Sequence, residues 1–313
     1  MCIGFWSLDH PDFALILCSN RDEFLSRPTS NAHFHCFGPE PDLNGNFVLS
    51  GRDLKAGGSW FGINRAGRIA LLTNISEAEG ALYKESRGHL VSSFLLPDAP
   101  DANHFVGLLE REGSTDYAGF NLLLLTPTSG GEPGAGSFAY EASLITNSGG
   151  HGAIVERDLL PEERRAGAIS NGVDSADGRT WPKVKKSVAS LKELLHVNNA
   201  NEQKLSEDEL VEHLFGILSW QSDPPPSNRF QLRNSIEIPP LHMSGSLSPD
   251  AEPDDRIDIY GTRVSTVLLV RRDGRVLFIE RDFWKLDSEG NVVRGDPRQA
   301  RVFRFQIDSL KKD

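Results

Sequence analysis

The sequence predicts an α+β protein with a layered α/β/β/α arrangement, in which two packed sheets carry helices on their outer faces. Segments with strand character open the chain at residues 2–18 and close it at 257–280. Segments with helical periodicity are grouped between them, and residues 120–126 form a continuous apolar run typical of a strand buried on both faces. Together these patterns favour layers of sheet and helix around one core.

The composition is that of a globular protein and argues against several classes of function. The 313 residues, of which 38% are hydrophobic and 25% charged, are enough for a sizeable core. A formal net charge of −11 argues against nucleic-acid binding and against adhesion to anionic membranes. Three cysteines are too few for a disulfide framework and favour a reducing compartment. Without an 18-residue apolar run or a basic leader, we expect a cytoplasmic protein without a transmembrane helix.

The first 23 residues predict a β-hairpin. Residues 3–7 alternate in character and residues 13–18 are apolar, whereas residues 9–12, Asp-His-Pro-Asp, are typical of a turn. A hairpin centred between positions 10 and 11 would place Cys2 opposite Ser19. The thiol would then lie at the end of the sheet where the second strand leaves it.

Cys2 is the candidate nucleophile, with Arg21 and Asp22 beside it. If Met1 is removed, the α-amine of Cys2 titrates at about pH 8, close to a thiol, and could act as base for its own side chain. Arg21 would lower the pKa of the thiol, and Asp22 would hold the α-ammonium or orient Arg21. The alternative is that Cys2 is a small apolar residue in a buried first strand.

Residues 24–47 predict an irregular surface loop, rich in Pro, Asn and His. His33, His35 and Cys36 could suggest a metal site. The third and fourth ligands that would complete a site with the two histidines are not evident. A solvated loop or an edge strand is therefore favoured for this segment.

A second hairpin is predicted over residues 60–74, with its turn at 65–68. Gly57 and Gly58 before it allow positive φ or a close backbone approach. Asn74, at the end of the second strand, could donate its amide to a developing oxyanion. It could equally be a turn residue that caps the segment after it.

Four helices are predicted between the two groups of strands. They cover residues 86–96, residues 101–112, a segment opened by Trp181-Pro182-Lys183 and ending near 197, and a segment from the capping box Ser206-Glu207-Asp208-Glu209 to about 220. Residues 222–255 are polar and Pro-rich, which predicts a mobile excursion long enough to form a lid. Since the terminal segments would pair centrally, we expect residues 1–313 to form a single domain.

Seven short motifs, in order over nearly the whole chain, carry a family resemblance. They are Met1-Cys2-Ile3; Asn20-Arg21-Asp22-Glu23 with Arg27-Pro28; Gly57-Gly58-Ser59-Trp60-Phe61-Gly62; Leu72-Thr73-Asn74; Gly119-Phe120-Asn121-Leu122-Leu123; Ser170-Asn171 with Trp181-Pro182-Lys183; and Tyr260-Gly261-Thr262-Arg263 with Ser265-Thr266-Val267. In these motifs the sequence resembles the transport and Golgi organisation 2 proteins, called NRDE proteins after the tetrad at 20–23. Each motif alone is weak, and the seven in register are specific.

That family is similar to the N-terminal-nucleophile (Ntn) hydrolases, particularly the choloylglycine-hydrolase and penicillin-acylase branch with a cysteine nucleophile. The resemblance implies an αββα sandwich with Cys2 on an inner strand. The positions that match are Cys2 for the nucleophile, Arg21 and Asp22 for the pair beside it, Asn74 for the oxyanion amide, Asn171 for a second site amide and Arg263 for the distal arginine.

The family is associated with Golgi organisation and secretion, with mitochondrial and lipid homeostasis, and with intracellular haem trafficking. The resemblance therefore implies a trafficking role, a cytoplasmic protein associated with Golgi or mitochondria, and a small hydrophobic or acyl ligand, haem among the candidates. The alternative is a cysteine hydrolase that cleaves an amide or other acyl bond and requires no cofactor. A third interpretation, a structural or interaction protein, leaves the group Cys2, Arg21, Asp22 and Arg263 unexplained.

Overall fold

The computed structural model describes residues 1–38, 47–77, 83–112, 117–130, 137–200, 204–244 and 257–308. The chain divides into two compact units. The first comprises Met1–Arg27, Leu160–Val270 and Leu277–Phe303, and the second comprises Pro28–Leu159, Arg271–Val276 and Arg304–Asp313. Both units are discontinuous in sequence, and our expectation of a single domain over 1–313 stays a prediction.

The described residues form sixteen strands and five α-helices. The strands are β1 (Ile3–Ser7), β2 (Phe13–Phe24), β3 (Thr29–His35), β4 (Val48–Asp53), β5 (Phe61–Asn64), β6 (Ile69–Asn74), β7 (Phe120–Gly130), β8 (Ser137–Thr146), β9 (Val155–Asp158), β10 (Gly167–Ile169), β11 (Leu241–Ser244), β12 (Ile257–Arg271), β13 (Arg275–Asp282), β14 (Trp284–Leu286), β15 (Val292–Arg294) and β16 (Arg301–Gln306). The helices are α1 (Gly88–Leu95), α2 (Ala102–Glu112), α3 (Pro161–Arg165), α4 (Pro182–Ala200) and α5 (Glu207–Leu218). No helix among the described residues is long and apolar enough to cross a membrane.

The first unit is built on a sheet with the strand order β10-β1-β2-β12-β13-β16, in which β11 also pairs with β12. Helices α4 and α5 cover one face of this sheet, where Phe5 and Ile16 from the strands share a buried cluster with Leu191 and Leu214 from the helices. Both helices begin as predicted. Pro182 opens α4, and α5 follows a capping box in which the side chains of Ser206 and Glu209 bond reciprocally to the backbone.

The N-terminal hairpin is confirmed, but its register differs by two residues from the predicted one. Ser19 lies opposite Gly4 rather than Cys2. Strand β1 ends at Ser7 as predicted, and the backbone N–H of Leu8 after it donates to the carbonyl of Arg164 at 2.7 Å. Since the shift is an even number of residues, every side chain keeps its predicted face.

The second unit is built on an antiparallel sheet with the strand order β3-β4-β5-β6-β7-β8-β9. Helices α1 and α2 pack on it, and Phe94 and Phe105 from the helices share a buried cluster with Phe120 and Leu122 from β7. The apolar run at 120–126 is thus a buried central strand, as predicted. Each unit supplies one sheet and one helix layer, which confirms the α+β class.

The segments 24–47 and 222–255 both contain ordered elements. The segment 24–47 contains the edge strand β3, one of the two interpretations favoured for it, and the pairing of β3 with β4 shifts register between Ser30 and His33. The segment 222–255 contains a 3₁₀ helix, Arg229–Asn234, and β11. Its Leu232, Ile236 and Ile238 are buried, so residues 222–244 are anchored by apolar packing rather than forming a mobile excursion. Residues 245–256 lie outside the described part, and a lid role stays a prediction.

Candidate functional site

Cys2 lies immediately before β1, half-buried, at the end of the first unit's central strands. Its Sγ is 3.8 Å from the backbone carbonyl oxygen of Asp22, to which the thiol donates. On its other side, β1 pairs with β10, and Ser170, just after β10, donates its hydroxyl to the Cys2 carbonyl at 2.7 Å. The hairpin and the β1–β10 pairing therefore fix the backbone on both sides of the thiol.

Asp22 is the buried anion of the site. Its Oδ1 accepts a hydrogen bond of 2.6 Å from the hydroxyl of Thr262 on β12, the neighbour of β2 in the sheet. Its Oδ2 lies 3.5 Å from the α-ammonium nitrogen of Met1 and 3.7 Å from Nζ of Lys183. The Asp22 carboxylate thus accepts a hydrogen bond from one hydroxyl, and its negative charge lies close to two amines.

Lys183 is a site residue that the sequence analysis did not identify. Its side chain is fully buried at the start of α4, and Nζ donates to the Met1 carbonyl oxygen at 2.6 Å. Burial lowers the pKa of Lys183, and the charges of Asp22 and of a Cys2 thiolate act in the opposite direction. The sequence signal was a lysine between two apolar residues, Trp181 and Val184, within a helix start.

Tyr260 on β12 was also missed as a site residue. Its hydroxyl donates to the backbone carbonyl of Asp22 at 3.0 Å and accepts a short hydrogen bond from the α-ammonium of Met1. Burial, followed by the nearby Asp22 charge, raises the pKa of Tyr260 well above its usual value. The phenol is therefore a neutral hydrogen-bonding group at every pH at which the fold is ordinarily studied.

With Met1 in place, the pKa of the Cys2 thiol is raised, although the charge of Arg21 lowers it as predicted. Burial is the largest cause; the Met1 ammonium lowers this pKa, Asp22 raises it, and Arg21 makes only a small contribution in the expected direction. Burial also lowers the pKa of the Met1 ammonium. At neutral pH the thiol is therefore protonated, and nucleophilic attack by Cys2 requires a base.

The tetrad at 20–23 has both structural and electrostatic members. Asn20 is fully buried; its amide donates to the carbonyls of Leu218 and Ile236, at 2.9 and 3.1 Å, and its Oδ1 accepts from Ser265 at 2.6 Å. It therefore ties β2 to the end of α5, to the 222–244 segment and to β12. Arg21 is buried as well, with Nη2 3.9 Å from the carboxylate of Glu23.

Arg263 lies in the same charged group. Burial and then the charge of Arg21 lower the pKa of Arg263 to about 10, and its Nη1 donates to the carbonyl of Phe24 at 3.2 Å. Asn171 is buried directly after Ser170, whose hydroxyl lies 3.4 Å from the Asn171 Oδ1.

The first unit thus contains five of the six predicted site residues. Asn74 belongs to the second unit, where it ends β6 opposite Phe120. The catalytic roles of Cys2, Arg21, Asp22, Asn74, Asn171 and Arg263 stay predictions.

A separate cleft of about 610 Å³ lies in the first unit between α4 and α5. Lys186, Glu212, His213 and Trp220 are among its lining residues. In the part of the chain that the structure describes, no three His, Cys, Asp or Glu side chains are grouped so that they could hold a metal ion.

Comparisons with known proteins show which family the sequence belongs to. The family model described as Transport and Golgi organisation 2 matches residues 1–285. A human Transport and Golgi organization protein 2 homolog is 30% identical, covering 99% of this chain and 100% of that protein. Its Bos taurus counterpart is 32% identical, covering 90% and 92%. Among solved structures, a mutant conjugated bile acid hydrolase from Clostridium perfringens is similar, with 6% identity, coverage of 98% and 97%, and a TM-score of 0.44. The chain belongs to the transport and Golgi organisation 2 family.

Proposed function

We propose that this protein acts in transport and Golgi organisation, the role named for its relatives, and that it does so by handling a small acyl ligand at Cys2. The observation that carries the proposal is the group of buried titratable side chains around that thiol. Asp22, Lys183 and Tyr260 are all withdrawn from water within hydrogen-bonding or ion-pair distance of residues 1–2 or of each other.

Burying such a group of ionisable side chains costs free energy that a purely structural role does not require. Each buried ion loses several kcal/mol of hydration, and an apolar replacement of similar volume is often neutral or stabilising. Strongly perturbed pKa values cluster at sites of binding and catalysis. The shifted groups here, Cys2, Lys183, Tyr260, Arg263 and the Met1 amine, belong to the same unit and surround the family's N-terminal motif.

A cysteine hydrolase is the second candidate, and Lys183 favours it. Nζ of Lys183 donates to the carbonyl oxygen of Met1, and the carbon of that carbonyl is bonded to the Cys2 nitrogen. A cationic donor at that place would stabilise the negative charge that develops on a carbonyl oxygen during attack. With Met1 removed, the α-amine of Cys2 would accept the thiol proton.

The test of acyl chemistry uses protein whose intact mass proves that Met1 is absent. Hydrolysis of small acyl esters and amides is followed for wild type, Cys2→Ala and the control Cys36→Ala. Cys36 is a better control than Cys18, because Cys18 is fully buried in the core and its truncation would open a cavity. We expect turnover to be lost only in Cys2→Ala; equal rates in all three proteins would contradict the proposal.

The cellular role is tested by complementation. In cells that lack the protein, wild type is expected to restore secretion of a reporter and Golgi morphology, and Cys2→Ala is expected to fail. Full restoration by Cys2→Ala would show that the role does not depend on the thiol. A fluorescently tagged chain tests in the same cells whether this protein associates with Golgi or mitochondria.

Handling of haem or of a lipid-like ligand stays a prediction without assigned residues. The cleft between α4 and α5 offers His213 as an axial ligand, but Asp208, Glu209 and Glu212 line it too. These carboxylates oppose the propionates of haem, so this cleft does not fit the group. Titration with haem tests the prediction directly, because the absence of a saturable Soret change at micromolar protein would count against it.

A further inference from the structure

Met1 is held by the site in the manner of a bound ligand, because each of its polar groups has a buried partner. Its α-ammonium donates to the Tyr260 hydroxyl and lies 3.5 Å from Oδ2 of Asp22. Its carbonyl oxygen accepts the 2.6 Å hydrogen bond from Lys183. Three side chains from β2, α4 and β12 therefore recognise one aminoacyl group.

The side chain of Met1 is also recognised. It packs, partly buried, against the apolar cluster of Leu232, Ile238 and Tyr260, to which Leu241 also contributes. Three of these residues come from the anchored 222–244 segment. A linear thioether side chain therefore fills a place that apolar residues line.

We propose that the space Met1 occupies is the acyl pocket of the site, and that in a chain without Met1 it takes an α-aminoacyl amide with a short, linear, apolar side chain. The inference rests on the proposed acyl chemistry at Cys2 and names its substrate class. The carbonyl carbon of Met1 is bonded to the Cys2 nitrogen. A substrate carbonyl beside that position, moved outward to non-bonded distance from the nitrogen, would lie next to the residue that carries both the amine and the thiol.

Charge selects the same class of ligand. With Met1 in place, Asp22 balances two amines, the Met1 ammonium and Lys183. A substrate ammonium would take the place of the Met1 ammonium beside Oδ2 of Asp22 and the Tyr260 hydroxyl, whereas an N-acylated substrate offers no cation there. An acidic side chain would enter the apolar cluster around Leu232 and Ile238 without a partner, at a large desolvation cost.

The reaction balances without any added oxidant or cofactor. The Cys2 amine takes the thiol proton, and Sγ attacks the amide carbonyl carbon to form a C–S bond. The C–N bond then breaks, and the leaving amine departs with the proton from the Cys2 ammonium. Water, deprotonated by the same amine, attacks the thioester, which releases the free amino acid and restores the thiol.

The experiment uses protein released from an N-terminal tag so that Cys2 is the first residue, as verified by intact mass. Hydrolysis is measured with aminomethylcoumarin amides of L-methionine, N-acetyl-L-methionine and L-glutamate. We expect kcat/KM for the methionyl amide to exceed each of the others at least about tenfold, a difference of about 1.4 kcal/mol. Tyr260→Phe should raise KM for the methionyl and glutamyl amides, which carry the α-ammonium, but not for the N-acetylated amide. Lys183→Met should lower kcat/KM for all three. Lys185→Met, at an exposed position of the same helix, should change neither.

The outcomes separate this inference from the proposed function. Cys2-dependent hydrolysis of simple acyl esters without preference for the methionyl amide would overturn the inference and leave the proposed function intact. If no substrate shows Cys2-dependent turnover, the proposed acyl chemistry fails. The proposed acyl pocket is then tested by ligand binding alone. L-methioninamide should raise the Tm of tag-released Cys2→Ala protein more than N-acetyl-L-methioninamide does, and Tyr260→Phe should abolish the difference. Equal shifts, or none, would overturn the inference.

Discussion

Replacement of Lys183 by methionine tests whether the buried ammonium stabilises the fold. The change keeps the length and most of the volume of the side chain but removes its charge and its donor. In the wild type, Nζ has no exposed surface, donates to the Met1 carbonyl and lies 3.7 Å from the Asp22 carboxylate. The variant leaves the Met1 carbonyl without this donor and Asp22 without one of its two amines.

The expected loss follows from these contacts. A buried polar group that loses its partner costs about 1–3 kcal/mol, and breaking a buried ion pair costs about 3–5 kcal/mol. Asp22 keeps the Thr262 hydroxyl and the Met1 amine, so the lower range applies. We expect the free energy of unfolding to fall by about 2 kcal/mol.

The assay is urea unfolding followed by the fluorescence of the five tryptophans, with Lys185→Met as control. The control position is exposed, and a change within about 0.5 kcal/mol is expected there. The pH dependence adds a second test. Because burial lowers the pKa of Lys183 below 10.5, the unfolded chain binds more protons between the native pKa and 10.5. The contribution of Lys183 to the free energy of unfolding therefore increases as the pH rises through that window, and the Lys183→Met variant lacks this increase. The deficit of the variant should therefore grow with pH there.

A Lys183→Met protein as stable as wild type, or more stable, would refute this reasoning. It would mean that the hydration lost by the ammonium outweighs its two contacts, as happens when apolar residues replace some buried ion pairs. A deficit that shrinks as the pH rises would contradict the lowered pKa instead.

Three further predictions concern a hydrogen bond to Asp22, a glycine of the second unit and the Cys2 thiol. Thr262→Val removes the hydroxyl bonded to Asp22 and should cost about 1–3 kcal/mol in urea unfolding; wild-type stability would show that the contact is dispensable. Gly58→Ala should cost about 2 kcal/mol or more, since φ is +70° and a Cβ would lie 2.3 Å from neighbouring backbone. Gly216→Ala, in α5 with nothing within 4 Å, should instead stabilise by about 0.5–1 kcal/mol, so equal effects of the two changes would contradict the argument. Alkylation of Cys2 by iodoacetamide, obtained by difference from Cys2→Ala, should be slow at pH 7 and still rise beyond pH 9, because burial raises the pKa of its thiol. A rate that levels off below pH 8 would show the opposite shift.

Much of the fold follows from local patterns in the chain. The capping box at Ser206 begins α5 and Pro182 begins α4 because both signals act within one helical turn. The run of four leucines at 122–125 lies in a central strand because neither face of it offers a polar side chain to water. The hairpin register was predicted two residues out, because the turn-like sequence at 9–12 does not reveal the loop length and turn type that set the register of a hairpin.

The residues of the candidate site likewise fall into two groups: those that local sequence brings together and those whose contacts depend on packing between distant segments. Cys2, Arg21 and Asp22 could be grouped from sequence because one hairpin joins them. Lys183 and Tyr260 belong to recognisable motifs, but their contacts with Met1 and Asp22 depend on how α4 and β12 pack beside β1 and β2. The net direction of the Cys2 pKa shift could not be predicted for a related reason: Arg21 lowers this pKa as predicted, but burial, which the sequence around the hairpin does not reveal, outweighs it.

The strand order of the first unit also has a consequence for the time course of synthesis. Strand β1 pairs with β10, which is made early, but β2 lies beside β12. The β2 edge of the N-terminal hairpin is therefore not covered until the ribosome has made residues beyond Tyr260. At roughly 5–20 residues per second, this leaves the first two residues accessible for about 10–50 s. After that, the Met1 amine is buried against Tyr260 and Asp22. Whether Cys2 becomes the first residue is therefore decided while the chain is still being made, and a population that misses this interval would fold with Met1 in the site.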